Sequence, residues 1–173
     1  AAMLHLGNRY KMLRSGAALG RGCGPLVVAK KGAGLESLCG APIAVPGMWT
    51  TAFLLASLYL QGNFTPVPMR FDRIMPAVQN GEYAGGVIIH EGRFTYPDYG
   101  LDCLLDLGQW WEEKTALPIP LGVIGVRDDM PRERCSRIEN IIRESVAYAR
   151  RHPDASRDYV RHHAQELSDE VIR

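Results

Sequence analysis

Gly85-Gly86-Val87-Ile88-Ile89-His90-Glu91-Gly92-Arg93-Phe94-Thr95-Tyr96-Pro97 decides how the rest of this 173-residue chain is read. A short apolar run, 87–89, stops at His90, and a loop with a carboxylate, a glycine, an arginine and aromatic residues follows. In open α/β sheets, ligands bind just beyond the carboxyl ends of the strands. A buried strand ending in His-Glu-Gly-Arg therefore suggests a titratable ring at the rim of a cleft. Taken alone, the stretch fits a half-buried, hydrogen-bonded histidine equally well.

Working outward, residues 26–29 (Leu-Val-Val-Ala) and 42–45 are apolar without alternation, which predicts strands buried on both faces. Further strands are predicted at 10–14, 67–71 and 101–107, with a proline-led apolar strand at 117–126. Helices are predicted at 52–60, 73–79 (capped by Asp72), 108–115, from Pro131 onward, and from Pro153 through Glu166. In the helix after Pro131, Ile138, Ile141, Ile142 and Val146 fall on one face. Alternating strands and helices predict an α/β fold with mostly parallel sheets in three layers. The stiff Pro118 and Pro120 segment reads as a crossing between lobes. This gives one lobe of 31–117 and a second built from 1–30 and 118–173, with a ligand cleft between them.

Two turns add candidate chemistry. Pro46-Gly47-Met48-Trp49-Thr50-Thr51 joins a strand to a helix, and free N–H groups and hydroxyls at a helix start form an anion site. The alternative is that Thr50 is simply the helix cap. The glycine-dense loop at 15–25 lets the backbone approach a ligand or another segment closely. Its spacing is neither a dinucleotide fingerprint nor a P-loop. Trp110 and Trp111 cannot share one helical face, so one could look into a cleft or both could serve core and interface.

Composition narrows the classes. A net charge of +1, with 23% charged and 46% hydrophobic residues, describes a globular chain with neither nucleic acid nor an anionic membrane as main partner. The apolar stretch 51–60 is too short to span a bilayer. Cys23, Cys39, Cys103 and Cys135 include no CxxC pair, which argues against zinc and thioredoxin spacings and for free thiols in the cytoplasm. His152, His162 and His163 lack metal-site spacing and read as a solvated helix face. Ser168-Asp169-Glu170 reads as a helix start just before the last residue, so the chain is expected to be a piece of a longer protein.

Residues 13–27, Ala44-Val45-Pro46-Gly47 with Thr50-Thr51-Ala52, Ile88-Ile89-His90-Glu91-Gly92-Arg93-Phe94-Thr95-Tyr96, and Asp106-Leu107-Gly108 with Trp110-Trp111-Glu112-Glu113 occur in that order. Together they resemble the 1,4-dihydroxy-6-naphthoate synthase family of the futalosine route to menaquinone. The resemblance implies a two-lobe, type II periplasmic-binding-protein-like fold, its first lobe incomplete here. It implies a cytoplasmic lyase acting on cyclic dehypoxanthine futalosine, with His90 as general base and Thr50 and Thr51 binding substrate. It calls for no metal or other cofactor. The chain departs from the family in lacking a Pro-Asn-Asp loop and a Lys-Leu-Ser segment, and Trp49 stands where some members carry a histidine. A solute-binding protein of the same fold and a chorismate dehydratase are the alternative functions. Glu91 and Arg93 could each orient His90 or form a surface pair, and for Arg93 the surface pair is the preferred reading.

Overall fold

The computed structural model describes residues 2–163. In chain order the elements are α1 (Ala2–Leu6), β1 (Tyr10–Met12), β2 (Ala18–Gly20), β3 (Leu26–Lys30), β4 (Pro42–Val45), α2 (Thr51–Tyr59), β5 (Thr65–Pro68), α3 (Phe71–Asn80), β6 (Gly85–Ile88), α4 (Gly92–Thr95), β7 (Leu101–Asp106), α5 (Leu107–Thr115), β8 (Ile119–Gly122), β9 (Gly125–Arg127), α6 (Arg132–Arg151) and α7 (Arg157–His163). Short 3-10 turns lie at Gly7–Arg9, Leu35–Leu38, Tyr96–Tyr99 and Pro153–Ser156. The helix start read at Ser168, and the end of the last helix at Glu166, lie outside the described residues.

The chain divides into two compact units. Among the described residues, the larger is Leu19–Leu121 with Ala2; the other combines Met3–Ala18 with 122–163. The crossing is therefore near 18 and 122, not 30 and 118. The reason is β3, which the sequence assigns to the flanking lobe. It hydrogen-bonds to both β6 and β7 inside the larger unit.

The larger unit holds a five-stranded sheet in the order β5-β4-β6-β3-β7. β4 is parallel to β5 and β6, while β3 is antiparallel to β6 and β7. Four strands thus run one way and β3 alone runs back. Both faces are covered, as unbroken apolar strands require. On one face Val27, Ile43, Val45 and Val87 meet Ala52, Leu55 and Ala56 of α2 and Leu107 of α5. On the other, Leu26, Val28, Ala44 and Ile88 meet Ile74 and Val78 of α3. Gly86 is small because a Cβ there would run into Ile74 and Val78.

Some predicted boundaries shift for physical reasons. β5 begins at Thr65 rather than 67, with Pro66 and Pro68 inside it; as an edge strand it tolerates prolines that a central strand would not. Phe71 consequently starts α3 instead of ending a strand. Asp72 does not cap α3: Arg70 holds that position, and Asp72 pairs with its guanidinium at 3.1 Å. The proline-led strand expected at 117–126 is two short strands, β8 and β9. β8 pairs with β2, which lies inside the stretch read as loop.

The second unit is thinner. β1 pairs antiparallel with β9, Lys11 opposite Val126. α6 lays Ile138 and Ile142 on a small core of Leu13, Val126 and Cys135. Lys11 Nζ donates to the carbonyls of Asp128 and Met130 at 2.9 and 3.0 Å, tying down the turn before α6. Ile141 and Val146, predicted to share the buried face, are exposed. The apolar arc of α6 is wider than the three-residue core it covers.

Candidate active site at the strand ends

Register places five strand ends along one edge of the large sheet. Val45 pairs with Pro68, and Leu26 pairs with Ile88 on one side and Asp106 on the other. Because β3 runs against its neighbours, its start lies beside their ends. The glycine loop before β3, the Pro46–Thr50 turn after β4, Phe71 after β5, His90 after β6 and Asp106 at the end of β7 therefore share this edge. Thr50, Thr51 and His90, the three residues singled out from sequence, are all on it.

Thr50 is the N-cap of α2, and its hydroxyl is fully engaged. The oxygen accepts from the Phe53 amide at 3.1 Å, and the proton goes to the Gly47 carbonyl at 2.7 Å. Thr51 donates its hydroxyl proton to the Pro120 carbonyl at 2.7 Å. A hydroxyl has one proton to donate, so in this arrangement neither threonine side chain can donate to an anion. What α2 offers an anion is its first backbone amides, which have no acceptor within the helix.

His90 is exposed, and its backbone is left-handed, with φ 57°. Few residues other than glycine adopt that region, though histidine, asparagine and aspartate do so more readily than most. The turn is closed by the Arg93 amide, which donates to the His90 carbonyl at 3.3 Å. The imidazole meets the Phe71 ring edge-on, with centroids 5.4 Å apart. β4 lies between β5 and β6, so this ring pair spans the end of β4, where the Thr50 turn emerges. Trp49 and Phe94, near Thr50 and His90 in the chain, also expose large aromatic surfaces.

Of the two roles open to Arg93, the surface pair is not the one observed. Its guanidinium is half-buried, donates to the Gly24 carbonyl at 3.2 Å, and forms an ion pair with Asp106. Asp106 also caps α5 by accepting from the Gln109 amide at 2.9 Å. An aspartate just before a helical run is a cap signal present in the sequence; the partner of its second oxygen is not. The adjacent glycines have a packing role. Gly24, with φ 139°, would place a Cβ 2.8 Å from the Gly108 Cα, and a Cβ on Gly108 would collide with the Cys23 carbonyl oxygen. The loop's glycines thus bring backbone against α5.

Trp110 and Trp111 both pack on the core, Trp110 edge-on to Tyr59 with centroids 5.4 Å apart. Trp111 donates to the Pro118 carbonyl at 3.3 Å. Cys103, on β7, has its thiol pKa raised, first by burial and further by the Asp106 charge; the Leu105 backbone and Arg93 act the other way. Among the described residues no group of three or more His, Cys, Asp or Glu side chains could hold a metal ion. No helix among them is long and apolar enough to cross a membrane.

Comparison with known proteins gives the chain a family. The description "menaquinone biosynthesis" matches residues 1–173. The chain belongs to the menaquinone biosynthesis family. It is 56% identical over 172 residues to a Thermus thermophilus protein named 1,4-dihydroxy-6-naphtoate synthase, covering 99% of this chain and 62% of that one. A Streptomyces coelicolor protein of the same name is 44% identical over 167 residues, covering 94% and 58%. The chain therefore spans about six-tenths of the length of these relatives. A crystal structure of an Archaeoglobus fulgidus protein matches with a TM-score of 0.83 at 44% identity, over 98% of this chain and 62% of that one. The ligand-binding component of an import system from Staphylococcus aureus matches at TM-score 0.62 and 16% identity, over 98% and 60%. That likeness is one of fold, and the fold is the two-lobe, type II periplasmic-binding-protein-like class expected from the sequence.

Proposed function

We propose that this chain carries the base-bearing part of a 1,4-dihydroxy-6-naphthoate synthase. This is a cytoplasmic carbon–carbon lyase that converts cyclic dehypoxanthine futalosine to 1,4-dihydroxy-6-naphthoate. The observation that carries the reading is the placement of His90 and the α2 start on one sheet edge, in a chain 56% identical to a protein of that name.

His90 acts as the general base. A neutral imidazole nitrogen can accept a proton from a hydroxyl within hydrogen-bond reach. It removes the proton of a sugar hydroxyl on the substrate. The hydroxyl carbon becomes a carbonyl, the adjoining carbon–carbon bond breaks, and its electron pair passes to the naphthoate side as the sugar-derived fragment leaves. The substrate carboxylate is held at the start of α2, at Thr50 and Thr51. Because both hydroxyls already donate elsewhere, the Thr51 and Ala52 amides do the donating. The aromatic surfaces of Phe71, Trp49 and Phe94 suit a planar ring system.

The test is conversion of cyclic dehypoxanthine futalosine by the protein carrying this chain, unaltered and as His90→Ala. Loss of a positioned base lowers turnover by roughly 10²–10⁴-fold, with substrate still bound. Turnover by His90→Ala at the unaltered rate would remove His90 from the chemistry.

A further inference from the structure

We propose that Arg93 is the positioning residue for His90, holding the left-handed turn that presents the imidazole. The proposal rests on His90 being the base. The geometry behind it is a bridge across three strand ends. His90 follows β6, Gly24 precedes β3, and Asp106 ends β7, and these strands are neighbours in the sheet. Arg93, three residues beyond His90, reaches the last two with one guanidinium. Its own amide closes the His90 turn.

The chemistry suits this role. A guanidinium is planar, always charged and presents several donors in a fixed fork, so it can hold a carboxylate and a carbonyl together. Both partners are themselves fixed. Gly24 is pressed on the backbone of α5 at Gly108, and Asp106 caps α5 through its other oxygen. The anchor for the His90 turn is therefore α5 and the sheet rather than solvent. A left-handed non-glycine residue persists only where its surroundings hold it, and here the holding group is three residues along the chain. Phe71, edge-on to the imidazole, limits where the ring can go from the opposite side.

The experiment compares Arg93→Ala, Arg93→Lys and Asp106→Asn with the unaltered protein, using kcat, KM, thermal midpoint and the NMR signals of the His90 imidazole. Misplacing a base by about an ångström costs on the order of 100-fold, so Arg93→Ala should lower kcat about 10–100-fold with KM nearly unchanged. Its His90 ring signals should shift or broaden. Arg93→Lys, which keeps the charge near Asp106 but loses the fork, should recover part of kcat. Asp106→Asn keeps the cap on α5 and should fall between them. A folded Arg93→Ala protein with unaltered kcat, or with unaltered His90 ring signals, overturns the proposal. If Arg93→Ala does not fold, unaltered kcat and His90 signals in both Arg93→Lys and Asp106→Asn overturn it. Retained turnover in His90→Ala would instead overturn the base assignment, and the ring signals would still decide whether Arg93 fixes the imidazole.

Discussion

Strands β3, β4 and β6 are buried on both faces, whereas β1 and β9 have one small core between them and α6. In the first unit Val27, Val45 and Val87 are fully buried. In the second, Tyr10 and Met12 are 40% and 61% exposed although both lie in a strand. Two-stranded pairs are marginal by themselves, and three or more strands with a covered face are needed for independent stability. A functional edge has to be held to a fraction of an ångström. The candidate edge lies on the five-stranded sheet, in which β4, β6 and β3 have neighbours on both sides. Apolar burial and ladder pairing do here what the long helix α6 cannot do over three core residues.

The largest expected difference between the units comes from truncating equivalent isoleucines. Ile43→Ala, at a site with no exposed surface, should cost about 2–5 kcal/mol in urea unfolding. Ile141→Ala, 62% exposed on α6, should change stability by no more than about 0.5 kcal/mol. Equal losses would break the contrast. Next is Gly108→Ala, whose added methyl meets the Cys23 carbonyl; overpacking of this kind costs about 1–3 kcal/mol. A thermal midpoint unchanged by this substitution would mean that the glycine loop does not press on α5. The smallest effect concerns helix starts. Thr50→Ala removes the cap of α2 and should cost about 1 kcal/mol, whereas α6 starts at Pro131 with no side-chain cap to lose. Substituting Pro131 by Ala should therefore cost less than Thr50→Ala, and the reverse order would sink the comparison.

Much of the larger unit was legible in the sequence because its signals are local. Unbroken apolar runs at 26–29 and 42–45 announce strands covered on both faces, whatever their neighbours. Thr50 after a strand and a glycine turn announces a helix start, and His90 after an apolar run announces a strand end. Asn80-Gly81 announces the end of α3, where Gly81 is left-handed with φ 80°. The second unit was less legible. The periodicity of α6 shows an apolar arc but not how much of it is covered, since that depends on a core assembled from Leu13, Val126 and Cys135.

His90 ends where it began, a ring after Val87-Ile88-Ile89. The sequence by itself determined that strand, the turn after it and the α/β class, because each depends on residues within a few positions of one another. The reversal of β3 was decided only by the tertiary structure. A buried apolar run pairs equally well in either direction, and nothing within it says which. That reversal sets Gly24 and Asp106 beside the His90 turn and turns Arg93 from a surface cation into its anchor. The capping of Thr50 is local and could be read in advance. The bond from Thr51 to Pro120 joins positions 69 residues apart, and only the folded chain brings them together.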